Sequence, residues 1–280
     1  MTRPISQCEL SEETCVRRGT HRAKGRTCSL APGSGAVKHL HYGRIILDGG
    51  DGSLSFETGE KETGMICLAG SATVEVAGQR FAVTPYDAVY APRNHAVSVT
   101  PGAAFCDLAE ISAPVTGEYP VQFVSYADVR KNPSLHFQAG GPTNSRDLKI
   151  VIGKNVQAGR ILAGVTFTEP GNWASWPPHE HGATLEEAYV YINMPAPAWG
   201  IQLVYTDPQS PELLVVVREG DCVVMPAGYH PNVAAPGSSI GFLWIMAAPR
   251  EGVDREFGVV NVQPEYATSG SGLEASRGGK

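Results

Sequence analysis

The sequence predicts an all-β protein in which two similar barrels follow one another along the chain. Valine, isoleucine, tyrosine and threonine recur in short runs, which 32 glycines and 21 prolines among the 280 residues interrupt. Patterns with helical periodicity are scarce, so the runs are typical of short strands joined by turns. Both halves share this alternation, and in both a proline-centred turn precedes a histidine. The weak internal symmetry indicates a tandem repeat of one barrel.

The first half begins with a polar segment, which we interpret as an N-terminal arm over residues 1–30. A first barrel is predicted over residues 31–113, because short apolar runs there alternate with turn signals such as Gly-Gly-Asp-Gly. Short strands at this spacing are typical of barrels and sandwiches. The predicted strands of this barrel cover residues 42–47, 64–68, 72–76, 80–83, 88–90 and 96–99.

Residues 114–145 break the strand pattern with repeated prolines and glycines. They predict an inter-domain connection with a short helical turn near Tyr126–Lys131. A second barrel is predicted over residues 146–262, and residues 263–280 are predicted to be a flexible tail because they are poor in apolar residues. The predicted strands of the second barrel cover residues 149–152, 161–168, 201–205, 213–217, 222–225 and 241–246.

Composition excludes several classes of function. The net charge of −6 gives no basis for nucleic-acid binding. No apolar run approaches the ~18 residues of a membrane span, and the basic N-terminus has no apolar core behind it, as a secretory signal would. The six cysteines lack C-x-x-C spacing and are interpreted as reduced thiols. We therefore expect a cytoplasmic protein with a small-molecule partner.

The stretch from residue 171 to residue 187 carries the strongest functional signal. It contains His179 and His181, and residues two apart on a strand point to the same face. The two imidazoles can therefore aim at one point. Gly182 follows and allows the chain to turn, which would bring a carboxylate back beside the histidines on a neighbouring strand.

Glu186 and Glu187 compete for the role of that carboxylate. Glu186 has the parity of the three apolar residues at 188, 190 and 192, whereas Glu187 has the parity of Tyr189 and Tyr191. Because the more apolar face of a strand should look into the barrel, Glu186 is the predicted ligand and Glu187 is predicted to face away.

A third histidine completes the pattern downstream. Residues 220–230 give a turn, a short apolar strand, a Pro-x-Gly turn and then His230. Three imidazoles and a carboxylate suit a borderline divalent ion such as zinc, iron, manganese or nickel. The sequence therefore predicts one divalent metal ion per chain, bound by His179, His181, Glu186 and His230.

The first half also contains histidines, at positions 39, 41 and 95. No correctly phased carboxylate follows His39 and His41, and His95 has no partner upstream. These residues are more typical of structural histidines, so the first barrel is predicted to be degenerate and to bind no metal.

The two motifs of the second half resemble the cupin signature, H-x-H-x(3,4)-E followed by G-x5-P-x-G-x2-H. Residues 220–228 match the start of the second motif, and His230 comes one position early, after Tyr229 alone. This Gly-Tyr-His-Pro variant, with W-x-S-W-P-P-H-x-H and E-E-x-Y upstream, resembles the bacterial 5-deoxy-glucuronate isomerase family of inositol catabolism. Residues 144–146 and 242–247 are more similar to the related 4-deoxy-L-threo-5-hexosulose-uronate ketol-isomerases of pectin breakdown.

The resemblance implies a bicupin, with two tandem jelly-roll barrels. It implies His179, His181, Glu186 and His230 as metal ligands and zinc as the usual ion. It also implies an aldose–ketose isomerase that acts on a deoxy-uronate, either 5-deoxy-glucuronate, which would become 5-dehydro-2-deoxy-gluconate, or the substrate of the pectin enzyme.

Further roles in the site are predicted from adjacency to the metal ligands and from the resemblance to the isomerase family. Arg146 is the predicted partner of the substrate carboxylate, and Trp176 is predicted to form a wall of the pocket. Glu187 and Tyr229 adjoin predicted ligands and are the candidates for the general base. Two rival functions are a cupin dioxygenase, since three histidines and a glutamate also serve iron oxygenases, and a non-catalytic sugar-binding cupin. We expect a homo-oligomer that binds a small sugar acid.

Overall fold

The computed structural model of the protein describes residues 9–33 and 37–269. Within these residues, 21 strands account for most of the regular structure. The predicted all-β class is therefore confirmed. None of the helices in these two ranges is long and apolar enough to cross a membrane. The helices are α1 (Glu12–Cys15), α2 (Tyr126–Lys131) and a 3-10 helix at Pro264–Ser269.

The first half forms one antiparallel sheet of eight strands. Its main order is β2-β3-β8-β5-β7-β9, with β4 paired to β8 and β6 paired to β5. Each predicted strand lies within one of these strands, and two predicted strands merge into the single long strand β5. The strands are β2 (Gly25–Leu30), β3 (His41–Asp48), β4 (Leu54–Glu57), β5 (Lys61–Val76), β6 (Gln79–Val83), β7 (Ala88–Ala91), β8 (Ala96–Pro114) and β9 (Gln122–Val124).

The second half is built from three sheets. A seven-stranded sheet has the order β1-β18-β15-β20-β12-β11-β10, a four-stranded sheet has the order β13-β19-β16-β17, and β14 pairs with β21. The seven-stranded sheet contains β1 (Val16–Arg17), β10 (His136–Ala139), β11 (Arg146–Ile152), β12 (Ile161–Thr168), β15 (Glu186–Tyr191), β18 (Cys222–Met225) and β20 (Gly241–Ala247). The others are β13 (Trp173–Ala174), β14 (His179–Glu180), β16 (Gly200–Val204), β17 (Leu213–Val217), β19 (Asn232–Ala234) and β21 (Asn261–Val262).

Three apolar clusters stabilise the fold. One lies within the first half, a second joins the second half to Cys15 and Val16 of the N-terminal segment, and the third joins residues of both halves. The halves are in close contact, because a Cβ atom at Gly64 would lie 2.7 Å from Cδ1 of Ile152. Strand β15 serves two of these clusters. Ala188 and Val190 belong to the shared cluster, whereas Tyr189 belongs to the cluster within the second half.

A buried carboxylate also joins the halves. Glu62 on β5 is fully buried and accepts hydrogen bonds from the Tyr90 hydroxyl at 2.7 Å and from the backbone N–H groups of Gly159, Arg160 and Ile161 at 2.6–2.9 Å. A buried carboxylate is tolerated only when its oxygens are satisfied in this way. The carboxylate therefore fixes the start of β12 against the first sheet.

Within residues 9–30, the predicted arm contributes strands to the sheets of the fold. Strand β1 pairs with β18, and β2 pairs with β3. Residues 1–8 of the arm, and residues 270–280 of the predicted tail, lie outside the described residues. In the predicted connection, the short helix at Tyr126–Lys131 is confirmed, and the Ser125 side chain caps it by accepting from the Asp128 N–H group. The predicted domain boundaries stay predictions.

Candidate metal centre

Three histidines meet in the second half of the chain, as the sequence predicts. His179 lies on β14, His181 follows directly after it, and His230 follows the turn after β18. One ring nitrogen from each histidine lies within 4.8 Å of the others. The alternation of a strand brings the first pair together, and the Pro-x-Gly turn brings the third histidine to them.

Each of these rings is oriented by a backbone carbonyl. The Nδ1 atoms of His179, His181 and His230 lie 2.9, 3.3 and 3.0 Å from the carbonyl oxygens of Pro177, Val259 and Gly228 respectively. A carbonyl only accepts, so each Nδ1 must carry the hydrogen. In the neutral imidazole the Nε2 atom then keeps its lone pair, which is the arrangement that a metal-binding histidine needs.

A carboxylate completes the cluster, and it belongs to Glu187. Its Oε2 atom lies 2.9 Å from Nε2 of His181 and 3.0 Å from Nε2 of His230. The Glu187 side chain is 2% exposed. The prediction that Glu187 faces away from the histidines is therefore wrong.

Glu186, the predicted ligand, makes its hydrogen bonds away from the three histidines. Its two oxygens accept hydrogen bonds from the backbone N–H groups of Lys38, His39 and Leu40 at 2.7, 2.9 and 3.0 Å. It anchors the segment before β3 and is not brought to the three histidines. In the structure, the residue in the ligand position is Glu187, one position further along the chain.

The error has a physical cause in strand β15. The prediction assumed that the more apolar face looks into the barrel, but both faces of this strand are buried. The apolar face packs against the first half, whereas the face with Glu187 and Tyr189 looks into the second half. The tyrosine hydroxyls find internal partners, since Tyr189 bonds Ser175 Oγ at 2.7 Å and Tyr191 donates to Gln202 Oε1 at 2.6 Å.

The electrostatics of the cluster favour a bound cation. Burial, reinforced by His230 and His181, lowers the pKa of His179 to about 3, so this imidazole is neutral. Burial by itself would raise the pKa of Glu187, but attraction to His181 and His230 outweighs it and holds the pKa well below its usual range. Burial lowers the pKa of His181 and the Glu187 carboxylate raises it, with a net increase. A buried negative charge thus faces imidazole nitrogens that can take either a proton or a metal ion.

The donor atoms fit a metal ion. Nε2 of His181, Nε2 of His230 and Oε2 of Glu187 are buried, and in the part of the chain that the structure describes none of them has a hydrogen bond of acceptable geometry despite the short distances between them. Atoms that crowd together without pointing at one another are expected when all point at a common partner. Separations of about 3 Å also suit neighbouring ligands that each lie about 2.1 Å from one ion. Three imidazoles and a carboxylate are donors that zinc and its neighbours in the first transition row accept.

A cavity adjoins these donors. Its walls combine three of the candidate metal ligands, His179, His181 and Glu187, with a guanidinium, several hydroxyls and a set of apolar and aromatic groups. A small, mostly apolar pocket with a few convergent polar groups is the usual form of a small-molecule site. The lining residues are Arg146, Leu148, Thr166, Ser175, His179, His181, Glu187, Tyr189, Phe242, Trp244, Met246, Phe257, Gly258 and Val260.

The two residues predicted to bind substrate are placed differently. Arg146 is 4% exposed and lines the cavity, where its guanidinium donates to the carbonyl oxygens of Asn144 and Trp176 at 2.9 and 2.7 Å. Trp176 is not among the residues that line the cavity, and its ring packs on Trp173 and Tyr266 at centroid distances of 5.2 and 5.0 Å. In the structure Trp176 contacts Arg146 through its backbone carbonyl.

The two candidate bases are also separated. Glu187 lies among the metal-binding nitrogens, while Tyr229 is not among the lining residues and pairs with Tyr205 through backbone hydrogen bonds of 2.8 and 3.0 Å. Sequence reasoning missed four residues of the wall that carry polar groups, Tyr189, Trp244, Thr166 and Ser175. The alternation of Tyr189 with Glu187 was a signal for the first, whereas Trp244 lies in an apolar run that gives none.

Fold and site together define an all-β protein with a buried candidate metal centre. The chain belongs to the KduI/IolB family, whose model matches residues 15–263, and the predicted family is thereby confirmed. A 5-deoxy-glucuronate isomerase of Geobacillus thermodenitrificans is 29% identical over 244 residues, covering 81% of this chain and 86% of the relative.

Two solved structures are similar to this chain in fold. The crystal structure of an IolB-like protein from Salmonella typhimurium has a TM-score of 0.80 and 25% identity, and the match covers 91% of this chain and 98% of the other. A mutant of Bacillus subtilis oxalate decarboxylase has a TM-score of 0.57 and 13% identity, covering 90% of this chain and 80% of that one. The second likeness concerns the fold alone.

Proposed function

We propose that the protein is a metal-dependent 5-deoxy-glucuronate isomerase, which converts this aldose into the ketose 5-dehydro-2-deoxy-gluconate. The observation that carries the proposal is the convergence of three imidazole nitrogens and the Glu187 carboxylate on a cavity, in a chain of the KduI/IolB family. The names of the relatives supply the substrate.

The metal would be held by His179, His181, Glu187 and His230. An ion bound there would act as a Lewis acid, polarising the carbonyl oxygen of the substrate and stabilising negative charge on it. We propose zinc, one ion per chain, because nitrogen and carboxylate donors suit it; manganese, iron and nickel accept the same donors.

Residues of the cavity wall would bind and orient the sugar acid. Arg146 brings a permanent cation to the wall, and a guanidinium matches the geometry of a carboxylate. The hydroxyls of Tyr189 and Ser175 share a hydrogen bond of 2.7 Å on the same wall and hold a proton beside the substrate. Apolar side chains such as Leu148 and Phe242 exclude water, which strengthens these polar contacts.

We also infer that the two halves are tandem cupin barrels, the first without a metal ion. In support, each half has an apolar cluster of its own in addition to the shared one. The homo-oligomer and the cytoplasmic location stay predictions. Light scattering during size-exclusion chromatography measures the first of these, and one metal equivalent per chain by elemental analysis is the expected result for the site.

The function is tested with purified, metal-loaded protein and 5-deoxy-glucuronate, with formation of the ketose followed by NMR. We expect turnover that a chelator abolishes and added metal restores. The substrate of the pectin enzyme belongs in the same assay, because residues 144–146 and 242–247 resemble that family, and Arg146 and Trp244 both line the cavity.

The alternatives give different results in this assay. Faster turnover of 4-deoxy-L-threo-5-hexosulose uronate would assign the pectin-type reaction. Oxygen uptake during turnover would indicate a dioxygenase, because isomerisation consumes no oxygen. Binding of uronates without any conversion would contradict an enzymatic role.

A further inference from the structure

Trp244 combines features that its packing does not explain. It lies on β20, opposite Gly164 of β12 and Tyr189 of β15, and it lines the same cavity as the candidate metal ligands. The residue is 2% exposed. Its large apolar ring accounts for the burial, but the polar N–H group of the indole needs a separate explanation.

The orientation of the indole is fixed from both sides. A Cβ atom at Gly164 would lie 2.2 Å from Cζ2 and 2.7 Å from Cε2 of Trp244, so the missing side chain at residue 164 makes the space for the ring. On the other face Phe257 is stacked, with centroids 4.7 Å apart and an interplanar angle of 23°. A ring held in this way has little freedom to turn its N–H group toward another partner.

The N–H group of Trp244 is unsatisfied within the described part of the chain. Among residues 9–33 and 37–269, no atom accepts a hydrogen bond from Nε1 of Trp244, although the nitrogen is buried. Buried indole N–H groups usually have a partner, since leaving a buried donor unsatisfied is unfavourable. An unsatisfied donor held rigidly at a ligand cavity is typical of a site prepared for a ligand.

We propose that the indole N–H group of Trp244 donates a hydrogen bond to an oxygen atom of the bound sugar acid. The inference rests on the proposed function, because the substrate supplies the acceptor. Among the other groups around the cavity, Arg146 only donates and the Glu187 carboxylate belongs to the metal site. The hydroxyls of the wall, on Thr166, Ser175 and Tyr189, could accept but do not receive this bond. A carboxylate, carbonyl or hydroxyl oxygen of the sugar acid can accept.

This role makes Trp244 a determinant of binding and specificity. A site that hydrogen-bonds a particular oxygen rejects an analogue that lacks it, because the donor is then left unpaired. Loss of one such bond should lower kcat/KM about 3- to 10-fold if the acceptor is neutral, and by more if it is a carboxylate.

The first test observes the N–H group directly. The chain has four tryptophans, so a ¹⁵N-labelled, metal-loaded sample gives four indole N–H signals, and Trp244→Phe identifies the one of interest. On titration with 5-deoxy-glucuronate we expect the proton signal of Trp244 to move downfield and to saturate with the substrate. A Trp244 signal that stays in place when the site is saturated would overturn the inference.

The second test removes the donor without changing the shape. Replacing Trp244 by benzothienylalanine exchanges N–H for sulfur and keeps a bicyclic ring, so the contacts with Gly164 and Phe257 remain. We expect kcat/KM to fall about 3- to 10-fold, with metal content unchanged. The same replacement at Trp199, which is 39% exposed and outside the cavity, is the matched control and should leave kinetics unaltered.

The outcomes separate this inference from the function on which it rests. If 5-deoxy-glucuronate is turned over and neither the signal nor kcat/KM responds, the role of Trp244 is wrong and the isomerase assignment stands. If 5-deoxy-glucuronate is not converted but the pectin-type uronate shifts the Trp244 signal, the assigned substrate is wrong and the donor role stands. If the Trp244 signal stays in place with both uronates, the N–H group donates to an ordered water instead, and the inference is wrong.

Discussion

The adjacent pair Glu186 and Glu187 permits a crossed experiment on the metal centre. Each is replaced by glutamine, which keeps the shape and removes the charge. In Glu187→Gln the lost anion lies about 3 Å from two imidazole nitrogens. Loss of an outer partner of a metal ligand costs about 10–100-fold in affinity, so loss of a ligand itself should cost at least about 100-fold.

The two variants should also differ in stability, and Glu186→Gln should be the less stable of the two. In Glu187→Gln the new amide can donate to Nε2 of His181 or His230, neither of which has a hydrogen bond among the described residues, so the metal-free protein should be as stable as the metal-free parent. In Glu186→Gln the amide NH₂ group meets the backbone N–H groups of residues 38–40, which need acceptors. Because hydrogen bonds to a charged group contribute about 1.5–3 kcal/mol each and the amide oxygen retains some of them, we expect a loss of about 1–3 kcal/mol.

Two measurements decide the outcome. Elemental analysis after dialysis against a competing chelator reports metal content, and urea unfolding of chelator-treated protein reports stability. We expect Glu187→Gln to lose metal and keep stability, and Glu186→Gln to keep metal and lose stability. The reverse pattern would mean that the side chains of β15 point the other way, and loss of metal in both variants would refute the claim that the two carboxylates have separate tasks.

Three further predictions concern the site and the joint between the halves. His179→Ala and His230→Ala should each abolish metal-dependent activity with an unchanged far-UV circular dichroism spectrum, because the apolar clusters stabilise the fold; unfolding would indicate a structural metal. Treatment of the parent protein with chelator should likewise remove activity reversibly and leave the spectrum intact. Glu62→Gln should lower the free energy of unfolding by about 2–4 kcal/mol because its carboxylate satisfies backbone donors at 159–161, whereas Glu60→Gln, at an exposed position, should change it little. Equal stabilities in urea would contradict this view of the joint.

Local patterns in the sequence were enough to predict much of the fold and part of the site. The alternation of a strand is enough to place His179 beside His181, and a Pro-x-Gly turn is enough to return His230 to them, since both depend only on nearby residues. The short helix at Tyr126–Lys131 follows from a capping serine and a polar turn in the same way. Strand β2 and the second part of β8 were not predicted, because their polar and small residues become strand only through pairing with β3 and β5.

Features that depend on distant contacts could not be obtained in this way. The Phe257 segment reaches the cavity through tertiary packing, and the unsatisfied N–H group of Trp244 appears only once Gly164 and Phe257 are seen around the ring. Neither residue type nor spacing indicates that an apolar run on β20 carries a polar group into the site.

The choice between Glu186 and Glu187 shows where parity arguments fail. Alternation distinguishes two faces of a strand but does not say which face is the interior of the barrel. On β15 both faces are buried, and beyond Glu186 the face against the first half is apolar, because Ala188 and Val190 only pack there. The face inside the second half has to accommodate a carboxylate, imidazoles and tyrosine hydroxyls, so it is the more polar of the two. In a strand that carries a buried site, the functional residue should therefore be sought on the face whose polar groups can satisfy one another, as Tyr189 and Ser175 do.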